Sequence, residues 1–335
     1  MRLSETQRRI LYALTLNANA AISDIARMLD LRDHIVRRAV ELFFESKVFL
    51  RRSTWVNPFQ LGLDHHVVHL ELPLQSIQAR DLFLKLLGDV EETGAVVELG
   101  AEAQFELRLI TRGPSHLSQF FERLSDSFPH PFKVLRCLTT LELEYSGPSE
   151  AGLSHLWRPL RVGPIASQPH PQQLDETDHR VLSALANLNY LNLKQLSRLV
   201  DIPPTTLQYR VARLEASGVI SGHFYVMDPK VFNDIPVAIQ VRSRAFTQRE
   251  KDQLKRFAHH HCRIAWVSFF LGEQSAEVYT LVSGFEEAQR VISDLSKEFG
   301  SVIDSVHMTP QLSFSKYSTY PYLNYSTLTG EAHTQ

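Results

Sequence analysis

Hydrophobic positions in the C-terminal half of the chain recur with the spacing of short helices separated by polar turns. Apolar residues three and four positions apart predict a helix over 174–187, with Asp175 placed to cap its first turn. A shorter helix is predicted over 193–200, and a tight turn at 201–204 leads into a third helix over 205–217. Two short helices joined by such a turn are typical of a helix-turn-helix unit.

The third of these helices has one apolar face and one polar face. Leu207, Val211 and Leu214 recur at i, i+4 and i+7, so we expect them to face the core. Hydroxyl, phenol and guanidinium groups on the opposite face suit base edges and phosphates in a major groove. The outward positions are Thr205, Thr206, Tyr209, Arg210 and Arg213. Gly218 ends the helix, and residues 219–227 predict a strand pair that forms a wing, with His223 near its tip.

The N-terminal part follows the same plan with more basic residues. Its third helix has a core stripe of Val36, Val40 and Phe43. Arg51 and Arg52 fall in the predicted wing, where they are placed for phosphate contact. The outward positions of the helix are His34, Arg37, Arg38 and Glu41.

These two parts are copies of one another. The segment LSETQRRILYAL at 3–14 lies over LDETDHRVLSAL at 174–185, an offset of 171. Keeping this offset without a gap gives about 13 identities over the 56 positions from 3 to 58. A gapless match of that length indicates a tandem repeat.

Each copy continues into strands and helices in the order β-α-β-β-α-β, the ferredoxin-like plan. In the first copy the predicted elements are a strand at 65–72, a helix at 79–87, two strands about Gly100 within 96–110, a helix at 117–128 and a strand at 132–145. In the second they are 237–241, 251–259, two strands about Gly272 within 264–282, 285–299 and 302–314.

The sequence thus predicts an α+β protein in which two winged helix-turn-helix domains are each followed by a ferredoxin-like domain. The predicted boundaries are 1–62 and 63–147 for the first pair and 174–233 and 234–316 for the second. A proline-rich linker is expected over 148–173 and a loosely held tail over 317–335.

Composition is that of a globular protein, with 335 residues of which 44% are hydrophobic and 21% charged. We expect a cytoplasmic protein, because no apolar run approaches the roughly 20 residues of a membrane span and the N-terminus lacks a signal peptide. Cys137 and Cys262 lack the spacing of a disulfide framework or a zinc knuckle. The net charge of −2 is unfavourable for nucleic-acid binding. Two segments are locally basic, however: 27–52 contains seven basic and four acidic residues, and 191–223 contains four basic and two acidic residues.

The segment LKQLSRLVDIPPTTLQYRVARLEASGVI at 193–220, and above all RVARLEASGVI, resembles the Lrp/AsnC family of feast-or-famine regulators. That family joins a winged helix-turn-helix to a βαββαβ effector domain of RAM type, whose sheets pair back to back in a dimer. The resemblance covers most of the chain twice and is strongest over 174–229. It implies a transcription regulator with double-stranded DNA as partner, a small-molecule effector such as an amino acid, no membrane partner, no catalytic residues and no cofactor.

The resemblance implies an effector site near the glycine of each central hairpin. The candidate residues are Gly100, Glu102, Gln104, Gly272, Gln274 and Ser275. Neither hairpin has the aspartate that family effector domains often carry a few residues past this glycine. The first copy also has Ala39 where the second has Arg210, so we expect its helix either to read DNA differently or only to support the fold.

Two alternatives are open. One is a ligand sensor or interaction protein whose helical modules serve only as scaffold. The other is an enzyme, because siroheme decarboxylases resemble Lrp/AsnC proteins. Their motif histidines fall on Glu98 and Gln104 in the first copy and on Phe270 and Ala276 in the second, and their arginine falls on Glu102 and Gln274, which disfavours this alternative.

Two histidine groups are interpreted structurally. The run at 259–262, three histidines and a cysteine, is read as a polar helix end rather than a metal site, because adjacent side chains diverge. His65, His69 and Glu71 share one face of a strand, where we expect ordinary hydrogen bonding at the interface between sheets.

The two ferredoxin-like domains are expected to pair within one chain as a single-chain counterpart of the family's dimer, with further self-association into homo-oligomers. The two recognition helices would then meet major grooves about 34 Å or a multiple of that apart.

Overall fold

The computed structural model describes residues 3–16, 18–72, 77–147, 159–165, 170–190, 192–227, 234–243, 246–272 and 274–323. Much of the predicted linker, 148–158 and 166–169, and residues 324–335 of the predicted tail lie outside this part of the chain. Within the described part, no helix combines the length and the apolar character that crossing a bilayer requires.

The N-terminal half has three helices and a strand, followed by a β-α-β-β-α-β unit. The helical module contains α1 (Glu5–Leu16), α2 (Ile22–Leu29), α3 (Asp33–Glu45) and β1 (Phe49–Val56). After a 3-10 turn at Pro58–Leu61, the sheet unit contains β2 (Asp64–Glu71), α4 (Ile77–Asp89), β3 (Thr93–Leu99), β4 (Phe105–Thr111), α5 (Pro114–Ser127) and β5 (Lys133–Tyr145).

The C-terminal half has the same order of elements after one short strand, β6 (Leu160–Val162). Its helical module contains α6 (Glu176–Asn187), α7 (Leu193–Val200), α8 (Pro204–Ala216) and β7 (Ile220–Met227). Its sheet unit contains β8 (Ile235–Ser243), α9 (Gln248–His260), β9 (Ile264–Leu271), β10 (Ala276–Val282), α10 (Phe285–Phe299) and β11 (Ile303–Tyr317). Each element from α6 onward, β6 not included, begins within one residue of 171 positions after its N-terminal counterpart.

Each helical module folds around the apolar stripe of its third helix. In α8 the residues Leu207, Val211 and Leu214 are buried, and in α3 Val36 and Phe43 are buried. The turn between the second and third helices is tight in both modules because an aspartate at the helix end takes the left-handed conformation, with φ of 55° at Asp30 and 51° at Asp201. These turns set the third helix across the second, as a helix-turn-helix requires.

The predicted local wings are wrong. Residues 219–227 do not form a strand pair of their own; β7 is a single strand that pairs antiparallel with β1 of the other module. This two-stranded ribbon joins the modules, and Tyr225 of β7 stacks on Phe49 of β1 with 4.2 Å between ring centroids. Each helical module therefore completes its packing with a strand from the opposite half.

The two sheet units close into one barrel through their last strands. β5 pairs with β2 through residues 133–139 and then with β9 through 139–145. β11 pairs with β8 through 303–310 and then with β3 through 311–317. The remaining neighbours give the circular order β2-β4-β3-β11-β8-β10-β9-β5, in which β5 returns to β2, while β6 lies beside the end of β5.

The outer face of the barrel is apolar and the inner face is partly charged. The helices cover the outside, where Phe83 of α4 and Phe120 of α5 are fully buried against the first sheet. Inside the barrel, Arg108 on β4 lies between two buried carboxylates, Glu106 beside it and Glu277 on β10. The two glutamates are related by the 171-residue offset, so equivalent positions of the two halves meet inside the barrel, at the seam between the two sheet units.

The start of the predicted tail is well packed, contrary to our expectation of a loosely held segment. Tyr320 and Tyr322 are almost fully buried in the core of the C-terminal helical module. The Tyr320 hydroxyl is 2.9 Å from Nδ1 of His179, and the Tyr322 hydroxyl donates to the carbonyl of Ile110 at 2.6 Å. Residues 318–323, hereafter the strap, therefore tie α6 and its neighbours to the first sheet unit.

Candidate nucleic-acid interface

Helix α8 presents a polar face at its N-terminal end. Thr205, Thr206 and Tyr209 are exposed, and 68% of the Tyr209 surface is open to solvent. The buried stripe below them leaves these three side chains no role in the core. A phenol and two hydroxyls at the start of a helix can reach base edges and phosphates. The backbone N–H groups of Thr205 and Thr206 add two donors, since Pro203 and Pro204 have none.

Arg210 and Arg213 have intramolecular partners. Asp175 and Asp178 form a capping box at the start of α6, and Asp178 is almost fully buried. Nη1 of Arg210 lies 2.7 Å from carboxylate oxygens of both aspartates, and Arg213 pairs with Asp178. The hydrogen bond from Arg210 lowers the pKa of the Asp175 carboxyl. Arg210 thus joins α8 to α6, whereas the Arg213 side chain remains 46% exposed.

Helix α3 presents the most basic face of the two modules. His34, Arg37, Arg38 and Glu41 are exposed, as the spacing predicts. Within the described residues, Arg37 and Arg38 form no ion pair, so their guanidinium groups are available to phosphates. This face carries the cationic charge that the start of α8 lacks.

Arg51, Arg52 and His223 do not lie on an open wing, because the ribbon that carries them is packed inside the molecule. Arg51 donates to the carbonyl oxygens of Ala186 and Tyr317. Arg52 lies over the ring of Tyr190, 5.8 Å from its centroid. His223 is 5% exposed and bonds to Thr54 at 2.7 Å and to Glu215 at 3.0 Å. Contrary to the prediction, these three side chains are therefore not placed for phosphate contact.

The candidate effector residues are divided between the two central hairpins. In the first hairpin, the amide N–H of Gly100 donates to Pro310 at 2.9 Å, the side chain of Gln104 accepts from Leu72 at 3.0 Å, and Glu102 is exposed.

In the second hairpin, Gly272 has φ of 141°, Gln274 is 2% exposed, and the Ser275 hydroxyl donates to the carbonyl of Ser243. The structure thus places Gly100, Gln104 and Ser275 in backbone contacts within the chain.

The histidine groups lie at two different places. His259 and His260 are in the last turn of α9, and His261 caps it. No metal-binding group of three or more suitable side chains occurs in the described ranges. His65 bonds to Thr140 at 2.7 Å, and Nε2 of His69 is 3.5 Å from Glu106, so both lie at the seam between the sheets. Glu71 is half-exposed and 3.9 Å from Lys133.

Sequence reasoning missed the pairing of Arg210 and Arg213 with the α6 cap. The sequence predicts Asp175 as the cap of this helix, but it does not reveal that a helix 35 residues away supplies cations to Asp175 and Asp178. It also missed the buried charge cluster of Glu106, Arg108 and Glu277, since alternation identifies the face of a strand and not its opposite neighbour.

Comparison with known proteins agrees with the helical geometry. A family model described as winged helix-turn-helix DNA-binding matches residues 174–221. An uncharacterized HTH-type transcriptional regulator of Pyrococcus horikoshii, PH1916, is 31% identical over 143 residues, which cover 41% of this chain and 93% of the relative.

Among the solved structures, some match nearly the whole chain and others match one half of it. The siroheme decarboxylase NirDL matches 97% of this chain and 96% of its own, with a TM-score of 0.59 and 11% identity. An AsnC family transcriptional regulator from Agrobacterium tumefaciens matches 41% of this chain and 88% of its own, with a TM-score of 0.36 and 17% identity. At 11% identity, the first match indicates a shared fold and nothing about chemistry.

Proposed function

The chain belongs to the family of HTH-type transcriptional regulators, and from this premise we propose that it regulates transcription by binding double-stranded DNA through α8 and α3. The observation that carries the proposal is the free polar face of α8, with Tyr209, Thr205 and Thr206 exposed above a buried aliphatic stripe. A third helix with this arrangement fits a major groove. The exposed arginines of α3 supply the phosphate contacts.

We assign different parts to the two helices. In α8, Tyr209 and the threonines face the bases and Arg213 reaches a phosphate, while Arg210 holds the helix on α6. In α3, His34, Arg37 and Arg38 contact the opposite half-site. Because the two faces differ in charge, we expect the two half-sites to differ in sequence and the operator to depart from a palindrome.

The arrangement of the halves supports a single-chain counterpart of an Lrp/AsnC dimer, which we propose arose by tandem duplication. The starts of the elements from α1 to α5 are each repeated 171 residues later, and the start of β5 is repeated after 170. The ribbon and the closed barrel join each half to the other along whole strands. One chain would then carry two recognition helices in a fixed relation, with a small-molecule effector acting on that relation.

Selection of bound fragments from sheared genomic DNA tests this proposal, because it measures binding and identifies the operator together. We expect enrichment of a short set of sites by the unaltered chain and a steep loss of affinity as salt rises. The double variant Arg37→Gln/Arg38→Gln removes two cations from α3. The slope of log affinity against log salt concentration should therefore become shallower by roughly two, the effect of losing about two phosphate contacts.

Arg290→Gln is the matched control, since Arg290 is an exposed arginine on α10, which belongs to the sheet unit of the C-terminal half and not to a helical module. It should retain the affinity and the salt dependence of the unaltered chain. Equal enrichment by the α3 double variant and the control, or no enrichment above input by any of the three proteins, would contradict DNA binding through these helices.

A siroheme decarboxylase activity is the second candidate; it is raised by the match to NirDL over nearly the whole chain, which shows a shared fold and leaves the chemistry to be tested. The positions expected for its histidines do not supply proton donors. Glu98 is paired with Arg80, Gln104 is an amide that accepts from Leu72, and Phe270 and Ala276 are buried apolar residues. Titration of the protein with siroheme separates the two functions. A shifted Soret band and loss of carboxyl groups would support the enzyme, and an unchanged spectrum would exclude it.

A further inference from the structure

A small cavity lies where the ribbon, the barrel and the strap meet. Its volume is about 50 Å³, and its lining is mainly apolar, with Trp55 of β1, Leu143 of β5 and Val162 of β6 among its walls. Four side chains of the barrel that carry polar groups also line it, Arg108, His65, Thr140 and Tyr317. This position is distinct from both central hairpins, which lie at the ends of β3 and β9.

The size of the cavity limits what it can hold. A water molecule needs roughly 10–15 Å³ by this measure, and a cavity of about 150 Å³ accommodates benzene. A space of about 50 Å³ therefore suits a molecule of a few heavy atoms. The walls are mainly apolar and their one cationic group is Arg108, which favours a ligand with a short alkyl end and a carboxylate.

Arg108 has donors available for such a carboxylate. Its Nε donates to Glu106 at 2.9 Å, while Glu277 is 4.0 Å from Nη2, beyond hydrogen-bond distance. Within the described residues, the two Nη groups make no hydrogen bond. A guanidinium group binds carboxylates through two parallel N–H bonds, so its second edge is a suitable site.

The charge balance around Arg108 is also compatible with an added anion. Burial and the nearby Glu106 raise the pKa of Glu277 to about 7, so Glu277 is mostly protonated below neutral pH. Burial, with Arg108 nearby, lowers the pKa of His65 to about 3, which keeps its imidazole neutral. The guanidinium then faces one ionised partner, Glu106.

The cavity adjoins the segments that hold the C-terminal helical module. Tyr317, Ser318 and Thr319 line it, and the strap continues from them to Tyr320 and Tyr322 in the core of that module. The Thr319 hydroxyl also bonds to the carbonyl of Thr54 in the ribbon. A ligand here would touch the two connections between the barrel and α8.

We propose that this cavity binds a short-chain monocarboxylate of two or three carbons, with its carboxylate on Arg108 and its alkyl end against Trp55, Leu143 and Val162. Occupancy would alter the seating of the strap and the ribbon, and with it the position of α8. This regulatory consequence rests on the proposed DNA binding, whereas the binding site does not.

Calorimetric titration of the full chain with sodium propionate tests the site, with propionamide as the neutral ligand of the same shape. We expect saturable binding of propionate and none of propionamide. Arg108→Gln removes the cation and Val162→Phe fills the cavity, and each should weaken propionate binding at least tenfold. Arg112→Gln, an exposed arginine just past the same strand, should bind propionate like the unaltered chain.

Thermal unfolding establishes whether each variant is folded. If Arg108→Gln does not fold, binding by Val162→Phe decides the result. Equal binding by Val162→Phe and the unaltered chain, or no saturation by acetate or propionate at millimolar concentrations, would overturn the proposal. Because no DNA is present in these titrations, a failure of the regulator function leaves them interpretable. Genomic-site binding that persists without any response to propionate would reject the coupling alone.

Discussion

Neighbouring residues of α8 differ in what they contribute. Tyr209 is open to solvent, whereas Arg210, next to it in the sequence, forms ion pairs with the aspartates that cap α6. One residue of displacement along a helix turns a side chain by about 100°, which is enough to separate a surface contact from a structural one. The two residues can therefore be tested against each other.

Tyr209→Ala should weaken DNA binding about tenfold without changing stability. The side chain is 68% exposed, so its removal should alter the free energy of unfolding by less than about 0.5 kcal/mol. Arg210→Ala should instead lower the free energy of unfolding, by about 1–2 kcal/mol, because the buried Asp178 loses one of its two cations. Urea unfolding and fluorescence anisotropy on the selected operator measure the two effects. Equal stability losses in both variants would contradict this division.

The buried Glu277 should make stability depend on pH. Its pKa is about 7 in the folded chain, against an ordinary value of 4.5, because of burial and the nearby Glu106, with Arg108 and His69 also facing it. Between these two values the folded chain holds a proton that the unfolded chain releases, so the free energy of unfolding falls as pH rises through this window.

Glu277→Gln removes this titration. We expect its free energy of unfolding to vary less between pH 4.5 and 7 and to exceed that of the unaltered chain above pH 7, by an amount on the order of 2 kcal/mol. Glu102→Gln, at an exposed position, is the control and should follow the unaltered pH profile. Parallel profiles for the two variants would show that Glu277 is not the group concerned.

Residue-level prediction succeeded on helices and failed on the ribbon. Helical spacing identifies the faces of α3 and α8, and His34, Arg37 and Tyr209 are exposed as expected. Arg51 and His223 were assigned to a wing because a strand after a helix-turn-helix usually forms one locally. Which partner a strand chooses depends on distant sequence, so their burial required the structure.

At the scale of elements, the strap is the part that sequence could not supply. Helix and strand bounds follow from periodicity, and the predicted strand at 302–314 is observed as β11. Residues 318–323 are Ser, Thr, Tyr, Pro and Leu without a period, and such composition is typical of a loose segment. Their order comes from burial of two tyrosine rings between α6 and the barrel, which is a tertiary effect.

Tyr322→Ala should destabilise the C-terminal helical module. The side chain is fully buried and its hydroxyl bonds to Ile110, so truncation should cost about 3–5 kcal/mol, and Tyr322→Phe about 1 kcal/mol. Leu323→Ala, at a position 65% exposed, is the matched control and should change little. Hydrogen exchange in α6 reports the local effect. Unchanged protection there in Tyr322→Ala would mean that the strap does not hold this module.

For the whole molecule, one chain should occupy one operator with two unequal half-sites. The halves are joined by the ribbon and the barrel, so α3 and α8 should bind the same DNA molecule in one event. Footprinting should show two protected segments about 34 Å or a multiple of that apart, and titration should give one chain per DNA duplex of that length. A stoichiometry of two chains with a single protected segment each would contradict the single-chain arrangement.

The circular strand order has a further consequence for behaviour on dilution. A regulator made of separate subunits falls apart when its concentration drops below the dissociation constant of the pair, and its occupancy of DNA then declines with the square of the amount present. Here β5 and β11 each bond to both halves of the same polypeptide. Even a cell holding a handful of copies would therefore keep the two recognition helices of every copy together.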